Sequence, residues 1–593
     1  MPIPAFVILS WPIEHAESAV VAAKLAAALE ALGLLPRLTL PGLTLLSGSA
    51  DRRMTLRSSS TQSIFVFGEL FDAQAVKRFS APYADLQGWT ETTPPALARK
   101  LVHSCWGRYV AVLRDDDGTV AVLRDPSGAV PLYQNRHADL TIFTTGIDRR
   151  VAHALGMRMS LAWDNLARLA AFPFCATHLT GLDSVEIVPP GILTYANTRR
   201  ARLPVWTMTH AAARRDEDGT PDEWMRRSLA ACLAAWTAGR DRIAIELSGG
   251  FDSSSVVGAL RATVPAKAVM AIHYALPDAE GDESARAHLV AEHNGVSLIE
   301  VPVSPDQLDY RRLFTLRAGA QHRIAWLDMI QDEATPRIRT AADIDVVMTG
   351  HGGDVLFYQF ASLMVAIDCL ATEGPGRIWA RSVVDAARRG RHSIWPILAA
   401  SVAHYVGRRA GAAPLGDMRY LTADARSLLT QGLPRHVWQE QADALLPGKR
   451  LQIDSLAYTQ LFNGPSWAGE AGALVHPLLS QPMIEICLAL PSHALAFGVT
   501  DRALARRAFS RWLPPSIAAG QTKASASAYY ARAVRANLPL IRQRLLEGSL
   551  VRHRVLDRGR LARALDPAQL LIGADYGALT GLLSLEAWVQ GWS

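Results

Sequence analysis

Arg242-Ile243-Ala244-Ile245-Glu246-Leu247 runs without a break into Ser248-Gly249-Gly250-Phe251-Asp252-Ser253-Ser254-Ser255 and then into Val256-Val257-Gly258-Ala259-Leu260. The first six residues read as a buried strand and the last five as the body of a helix, so the small residues between them form a strand-to-helix turn. Gly249 and Gly250 remove the side chains that would keep an anion away from backbone N–H groups. The helix N-terminus adds its partial positive charge, and Ser248, Ser253 and Ser254 add hydroxyls. Asp252, a carboxylate inside an anion-binding loop, makes chemical sense as a ligand for the Mg²⁺ that accompanies phosphates. A small-residue turn with a serine helix cap is the plainer reading. Against it, average residue usage produces this string in a chain of such length on the order of once per thousand. The pattern Gly-x-x-x-x-Gly-Lys-Ser/Thr is absent, which excludes a Walker-type loop.

Downstream, Ala268–Tyr274 and Ile344–Thr349 are further short apolar runs, separated from the first by helix-like stretches rich in Ala, Arg and Leu. That alternation predicts a parallel α/β sheet covered on both faces, within a domain spanning 215–593 whose tail beyond about residue 370 is mainly helical. Gly407 to Gly416 reads as a loop. Upstream the texture differs. Ile64–Leu70 is one strand-like run, and Gly107–Leu113, a charged turn Arg114–Gly118 and Thr119–Arg124 form a hairpin. Pro189-Pro190-Gly191 turns into a strand at Ile192–Tyr195. Residues 1–205 therefore form a sheet-rich domain.

At 593 residues the chain is too long for one core. Lys+Arg 61 against Asp+Glu 55 gives 61 − 55 = +6, a mild excess that suits a phosphate-bearing or peptide ligand and equally a surface kept soluble; it is far below what argues for nucleic-acid binding. The five cysteines (Cys105, Cys175, Cys232, Cys369, Cys487) are scattered, with no metal-ligand spacing, as expected of reduced thiols in a cytoplasmic protein. The N-terminus lacks a basic n-region and a cleavage signature. The longest apolar run, Ile394 to Val406, is interrupted by a proline and a histidine and is too short to span a bilayer. No membrane and no nucleic-acid partner is expected.

Ser-Gly-Gly-x-Asp-Ser is the pyrophosphate-loop signature of the ATP pyrophosphatases, and the chain resembles asparagine synthetase class B over almost its whole length. Phe67–Asp72, Trp106–Tyr109, Arg124–Tyr133 and Val188–Gly191 are similar to that family's glutaminase-type domain, an Ntn-type sandwich. Gly350-His351-Gly352-Gly353-Asp354 and Leu513-Pro514-Pro515 through Lys523 are similar to its synthetase domain, a PP-loop (adenine-nucleotide alpha-hydrolase) parallel sheet. The resemblance implies ATP and Mg²⁺ as cofactors. It puts Leu247, Ser248, Gly249, Gly250, Asp252, Ser253, Ser254, His273 and Gly350 at the nucleotide, Asp252 and Asp354 on the metal, and Lys523 on the leaving pyrophosphate. Lys523 is otherwise an ordinary surface lysine. His273 and Tyr274 fall near adenine. Asp282-Glu283 begin the next helix and read equally as an N-terminal acid pair.

The departures are informative. The family's glutaminase uses an N-terminal cysteine, whereas this sequence begins Met1-Pro2 and has no cysteine before Cys105, so glutamine hydrolysis is not expected. Asparagine synthetases carry a Glu where His351 stands, and β-lactam synthetases a Tyr paired with a Glu. A histidine, titrating near about 6.5, is matched to deprotonating an α-amine near about 7.7–8.0 and poorly to a lysine near about 10.4; hydrogen bonding within the loop or to a phosphate is the alternative role. The longer segment between Asp354 and Lys523 suggests an enlarged acceptor pocket or lid. The best fit is the lasso-peptide macrolactam synthetases (lasso cyclases). That group implies a ribosomal precursor peptide as substrate, with a leader peptidase and a leader-binding protein as partners. Ammonia-dependent asparagine synthesis, a β-lactam-type cyclase and a degenerate ATP-binding docking protein are the competing readings.

Overall fold

The computed structural model describes residues 6–48, 55–74, 83–137, 139–196, 200–213, 219–276, 283–407, 416–430, 432–463, 474–520, 527–572 and 576–593. Met1-Pro2, Asp282, Lys523 and most of the loop read between Gly407 and Gly416 lie outside these residues.

The first twelve strands are β1 (Phe6–Ser10), β2 (Leu34–Leu40), β3 (Leu43–Gly48), β4 (Thr55–Ser58), β5 (Ile64–Asp72) and β6 (Cys105–Arg114), then β7 (Val120–Arg124), β8 (Tyr133–His137), β9 (Leu140–Thr144), β10 (Glu186–Ile187), β11 (Ile192–Tyr195) and β12 (Leu203–Pro204). They build two six-stranded antiparallel sheets, ordered β10-β8-β9-β1-β3-β2 and β12-β11-β7-β6-β5-β4. Alternate residues from both meet in the middle: Phe6, Ile8, Leu43 and Leu45 against Phe65, Phe67, Val110 and Val112, with Phe6 stacked on Phe67 at 4.5 Å. The opposite faces are buried too, which is why these antiparallel strands read as unbroken apolar runs rather than alternating ones. Val7, Leu9 and Leu46 share a core with helix Ala16–Glu30 and the C-terminal helix Tyr576–Trp592. Val66, Ala111 and Leu123 share one with Leu229, Ile243 and Ile245 of the second half.

That second half is organised by a five-stranded parallel sheet of β13 (Arg242–Glu246), β14 (Ala268–Ala275), β15 (Ser297–Pro302), β16 (Val346–Met348) and β17 (Leu474–Val475), ordered β15-β14-β13-β16-β17. The chain steps outward from β13 through β14 to β15, then crosses back to place β16 on β13's other side. The crevice between β13 and β16 is thus the topological switch point, where open α/β sheets hold their ligands. Two strands escaped the sequence pattern. β15 is a half-exposed edge strand, and β17 is two residues long inside an otherwise helical tail.

Two buried polar clasps join the halves. Glu69 is fully buried and receives Arg108 at 2.6 Å and Arg240 at 2.7 Å, the latter just ahead of β13. Gly68 and Gly107 flank this pair with φ of +136° and +143°; a Cβ on either would fall 2.2 Å from the facing carbonyl oxygen, so both positions demand glycine. The second clasp is the Arg124–Gly128 turn. Arg124 donates to the carbonyls of Val130, Val188 and Gly128, while Gln460 and Asn463 from the second half donate to those of Ser127 and Gly128.

Burial alone would push the Glu69 carboxyl up, but Arg108 and Arg240 together outweigh it and hold the group below the ordinary glutamate range. A lowered folded value means this contribution is present above the unfolded pKa, about 4.3, and is lost as pH falls through the folded one. Replacing Glu69 strands two buried guanidiniums, so Glu69→Gln is expected to cost about 3–5 kcal/mol in denaturant unfolding at neutral pH. The variant should also lose part of the wild-type acid sensitivity; an unchanged midpoint would show that the triad does not hold the halves together.

Candidate active site

Leu247 extends β13 by one more ladder bond, its N–H donating to Ile272 O at 2.8 Å, and the chain then turns sharply. Gly249 sits at φ +82°, where a Cβ would lie 2.8 Å from Glu283 O and 3.0 Å from Arg286 Cβ; only glycine fits. The loop closes on itself. Gly250 N donates to Ser248 Oγ at 3.2 Å, and Ser248 N donates to Ser253 Oγ at 3.2 Å. Gly250 then starts helix Phe251–Thr263, whose first turn lines an open cavity of about 380 Å³. One expected donor is spent elsewhere. Ser254 is buried, outside the cavity wall, and donates to Gly250 O at 2.7 Å, because a serine four residues into a helix satisfies the preceding turn. Gly249 also lies off the wall and serves the packing beneath it.

The second loop leaves β16 beside the first. Gly352 takes φ +84° under Leu479. A Cβ on Gly350 would meet Ser253 N at 2.4 Å, and one on Gly353 would meet Asp252 Cγ at 2.6 Å. The glycines of Gly350-His351-Gly352-Gly353 therefore let one loop lie directly on the other. Asp252 and Asp354 hang from these touching backbones and line the same cavity. Asp354 Oδ1 accepts from Val355 N at 3.0 Å. Among the described residues no group of three or more His, Cys, Asp or Glu side chains is placed to hold a metal ion by itself. Two hard carboxylates beside a helix N-terminus fit Mg²⁺, which takes its remaining ligands from phosphate and water.

His351 also faces the cavity, its ring stacked on Phe462 at 4.5 Å and meeting the edge of His476 at 5.2 Å. The His351 backbone N–H donates to Thr349 Oγ1 at 3.1 Å, and that hydroxyl lies 2.7 Å from His476 Nδ1. The Phe462 carbonyl, 3.4 Å from Nε2, can only accept, so neutral His476 donates from Nε2 and accepts the Thr349 hydroxyl at Nδ1. Burial first, and the neighbouring His351 second, pull His476 down to about 3, so it stays neutral. His476 and Phe462 thus fix both the backbone and the ring of His351. His273 lies on the wall too, but its nitrogens are engaged by Leu247 O at 2.9 Å and Ser284 Oγ at 3.0 Å, leaving none to offer a base.

Three cations on this cavity's wall escaped the sequence reading: Arg286, which pairs with Glu283 at 3.1 Å, Arg502 and Arg506. Arg502 donates from Nη1 to Asp252 Oδ2 at 2.6 Å and also pairs with Asp501 at 2.6 Å. It holds a left-handed φ of +52°, uncommon for arginine, at the start of helix Ala503–Phe509. Arg506 lies 4.6 Å above the Phe251 ring and pairs with Asp501 at 2.9 Å. The four-residue spacing of Arg502 and Arg506, which puts both on one helix face, was the available signal. His476 and Phe462 had no local one. Leu276, Val303, Ile330, Tyr529 and Tyr530 complete an apolar wall. No cysteine approaches the cavity; all five are buried, with burial pushing Cys105, Cys175, Cys232 and Cys487 up to about 12.

A family model described as asparagine synthase matches residues 225–590. No curated protein matches the chain. Among solved structures, it is similar to a U34-tRNA thiolase, NcsA from Methanococcus maripaludis with its [4Fe-4S] cluster (13% identity, 44% of this chain and 87% of that one, TM-score 0.20). It is also similar to glutamine phosphoribosylpyrophosphate amidotransferase from B. subtilis (12%, 74% and 99%, TM-score 0.23). A third is an allosteric regulatory enzyme of purine biosynthesis (10%, 59% and 84%, TM-score 0.21). Likenesses this weak carry no argument about activity.

Gly350→Ala is expected to push the two loops apart and weaken ATP binding by about tenfold or more, equivalent to about 1.4 kcal/mol, in calorimetric titration with the fold intact. An unchanged affinity would remove the loop contact from the site.

Proposed function

The chain belongs to the asparagine synthase family, and on that premise we propose that it is an ATP-dependent macrolactam synthetase of the lasso-peptide type. Its substrate is a ribosomal precursor peptide, trimmed with the help of a leader peptidase and a leader-binding protein. The observation that carries this reading is a histidine ring on the second carboxylate-bearing loop, held by Phe462 and His476 and facing the cavity at the switch point of the sheet. Asparagine synthetases are expected to carry a carboxylate at that position.

In the first step an Asp or Glu side-chain oxygen of the peptide attacks the α-phosphorus of ATP. The bond to the bridging oxygen breaks, pyrophosphate leaves and an acyl-adenylate forms. The first-turn amides of helix Phe251–Thr263 and the Ser248 and Ser253 hydroxyls cradle the phosphates, while Arg502 and Arg506 neutralise charge. Mg²⁺ held by Asp252 and Asp354 would add charge neutralisation at the leaving group. By resemblance Lys523 shares that task. In the second step the peptide's N-terminal amine attacks the acyl carbon, AMP leaves, and His351 receives the amine's proton and passes it to solvent. Nucleophile and electrophile sit on one chain, so positioning dominates, with effective molarities of about 10⁵ M or more for well-oriented pairs. The apolar wall around Val303, Ile330 and Tyr529 supports exclusion of water, which would otherwise hydrolyse the adenylate.

Incubating the protein with ATP, Mg²⁺ and a trimmed candidate precursor should yield peptide lighter by one water together with AMP. Asparagine formed from aspartate and ammonium would move the assignment to that activity. Asp252→Asn and Asp354→Asn should each abolish AMP release. His351→Ala separates the steps: pyrophosphate should still appear while ring closure slows by about a hundredfold, and normal cyclisation by this variant would eliminate the base role.

A further inference from the structure

Helices Met364–Glu373, Arg377–Gly390 and Ile394–Tyr405 pack on one another around a small separate core of Ala366, Val383, Ala386, Ala387 and Ile397. The last two turn their buried faces to this core and their other faces to solvent. Helix Ile394–Tyr405 is the chain's longest apolar run, and its outward face is bare. Trp395 is 71% exposed and Tyr405 62%, with Ile394 and Val402 also exposed and Val406 just beyond at 65%. Ile378 and Val384 extend the patch on the neighbouring helix. Of the fifteen large apolar side chains exposed among the described residues, seven fall between 378 and 406, on or just beyond two helices that pack against each other.

The exposed charges on helices Arg377–Gly390 and Ile394–Tyr405 have one sign. Arg377, Arg381, Arg388 and Arg391 are exposed. The one carboxylate between 374 and 407, Asp385, is buried, accepts from Gly498 N at 2.7 Å and lies 3.8 Å from Arg381. The surface combines exposed hydrocarbon with Arg377, Arg388 and Arg391, for which no ion pair occurs among the described residues; Arg381 has Asp385 as its partner.

We propose that this face docks the protein on an anionic membrane surface. Three arguments select that occupant. A second copy of the chain would meet the face about a two-fold axis and set the arginines against themselves. A folded protein partner needs roughly one hydrogen bond per 100–200 Å² of interface. The exposed residues of the apolar helix itself, Ile394, Trp395, Pro396, Ala399, Val402 and Tyr405, offer only an indole N–H and a phenol for that purpose, and the donors on the neighbouring helix are arginines, which call for anions. A bilayer with acidic headgroups asks for neither: aliphatic side chains enter the acyl boundary, Trp395 and Tyr405 settle at headgroup level and the arginines meet phosphates. The run's short length excludes spanning, and no helix of the described residues is long and apolar enough to cross a membrane; lying on one needs neither. This revises the sequence-based expectation of no membrane contact, and it rests on the surface alone, not on the catalytic reading.

Flotation of the full-length protein with phosphatidylcholine vesicles, with and without phosphatidylglycerol, tests it. Binding should require the anionic lipid, weaken with salt, and fall by about tenfold in both Trp395→Ser/Tyr405→Ser and Arg377→Glu/Arg388→Glu. Circular dichroism of both variants should match the wild type. Failure of the wild-type protein to float with anionic vesicles, or equal binding by well-folded variants, would overturn the proposal. So would a wild-type dimer that the same substitutions dissociate, or capture of an acidic protein on this face without any vesicle binding.

Discussion

The packing of two glycine-rich turns on each other, at the carboxyl ends of neighbouring parallel strands, is the constraint on which the site depends. Gly350 and Gly353 have no side chains because the backbone of Ser253 and the carboxylate of Asp252 occupy that space. This contact puts Asp252 and Asp354 on one cavity although about a hundred residues separate them. It also turns the first amides of helix Phe251–Thr263 and the His351 ring toward a single volume. Strand order makes the contact available, since the chain reverses direction across the sheet between β13 and β16. The anion cradle, the acidic pair and the imidazole all follow from that crossing.

The antiparallel half is more than an appendage. Its outer faces belong to the same apolar cores as the parallel sheet on one side and the C-terminal helices on the other. Glu69 is shared by an arginine from each half, and Gln460 reaches back into the turn after β7. Removing this half would bare both cores and unpair buried charges, a physical reason for it to persist in a chain whose thiols are all buried. Arg502 and Arg506 come from still further along the sequence, so the finished site draws on segments spread over about half the chain.

Much of this was legible in the residues because local signals were strong. An apolar run meeting Ser-Gly-Gly-x-Asp-Ser fixes β13, the turn and the following helix together, and Gly107–Arg124 announces its hairpin by a charged turn between two apolar runs. The parallel-sheet half was read from runs buried on both faces. What stayed hidden had no local signature. β17 is two residues whose strand character comes from pairing with Val347 and Met348. His476 acts through a threonine 127 positions away. Ser254 looked like a phosphate donor because sequence gives residue type and not direction, and the helix points it inward. The apolar run at Ile394–Val406 was weighed by length, which speaks to crossing a bilayer and is silent on an exposed face.

The central claim is that this cavity activates a carboxylate at the α-phosphorus of ATP. Following an ¹⁸O label in the substrate's side-chain carboxylate by ³¹P NMR tests it most directly. The account predicts that one labelled oxygen is transferred to the phosphoryl group of AMP. Label appearing instead in inorganic phosphate alongside ADP would contradict it.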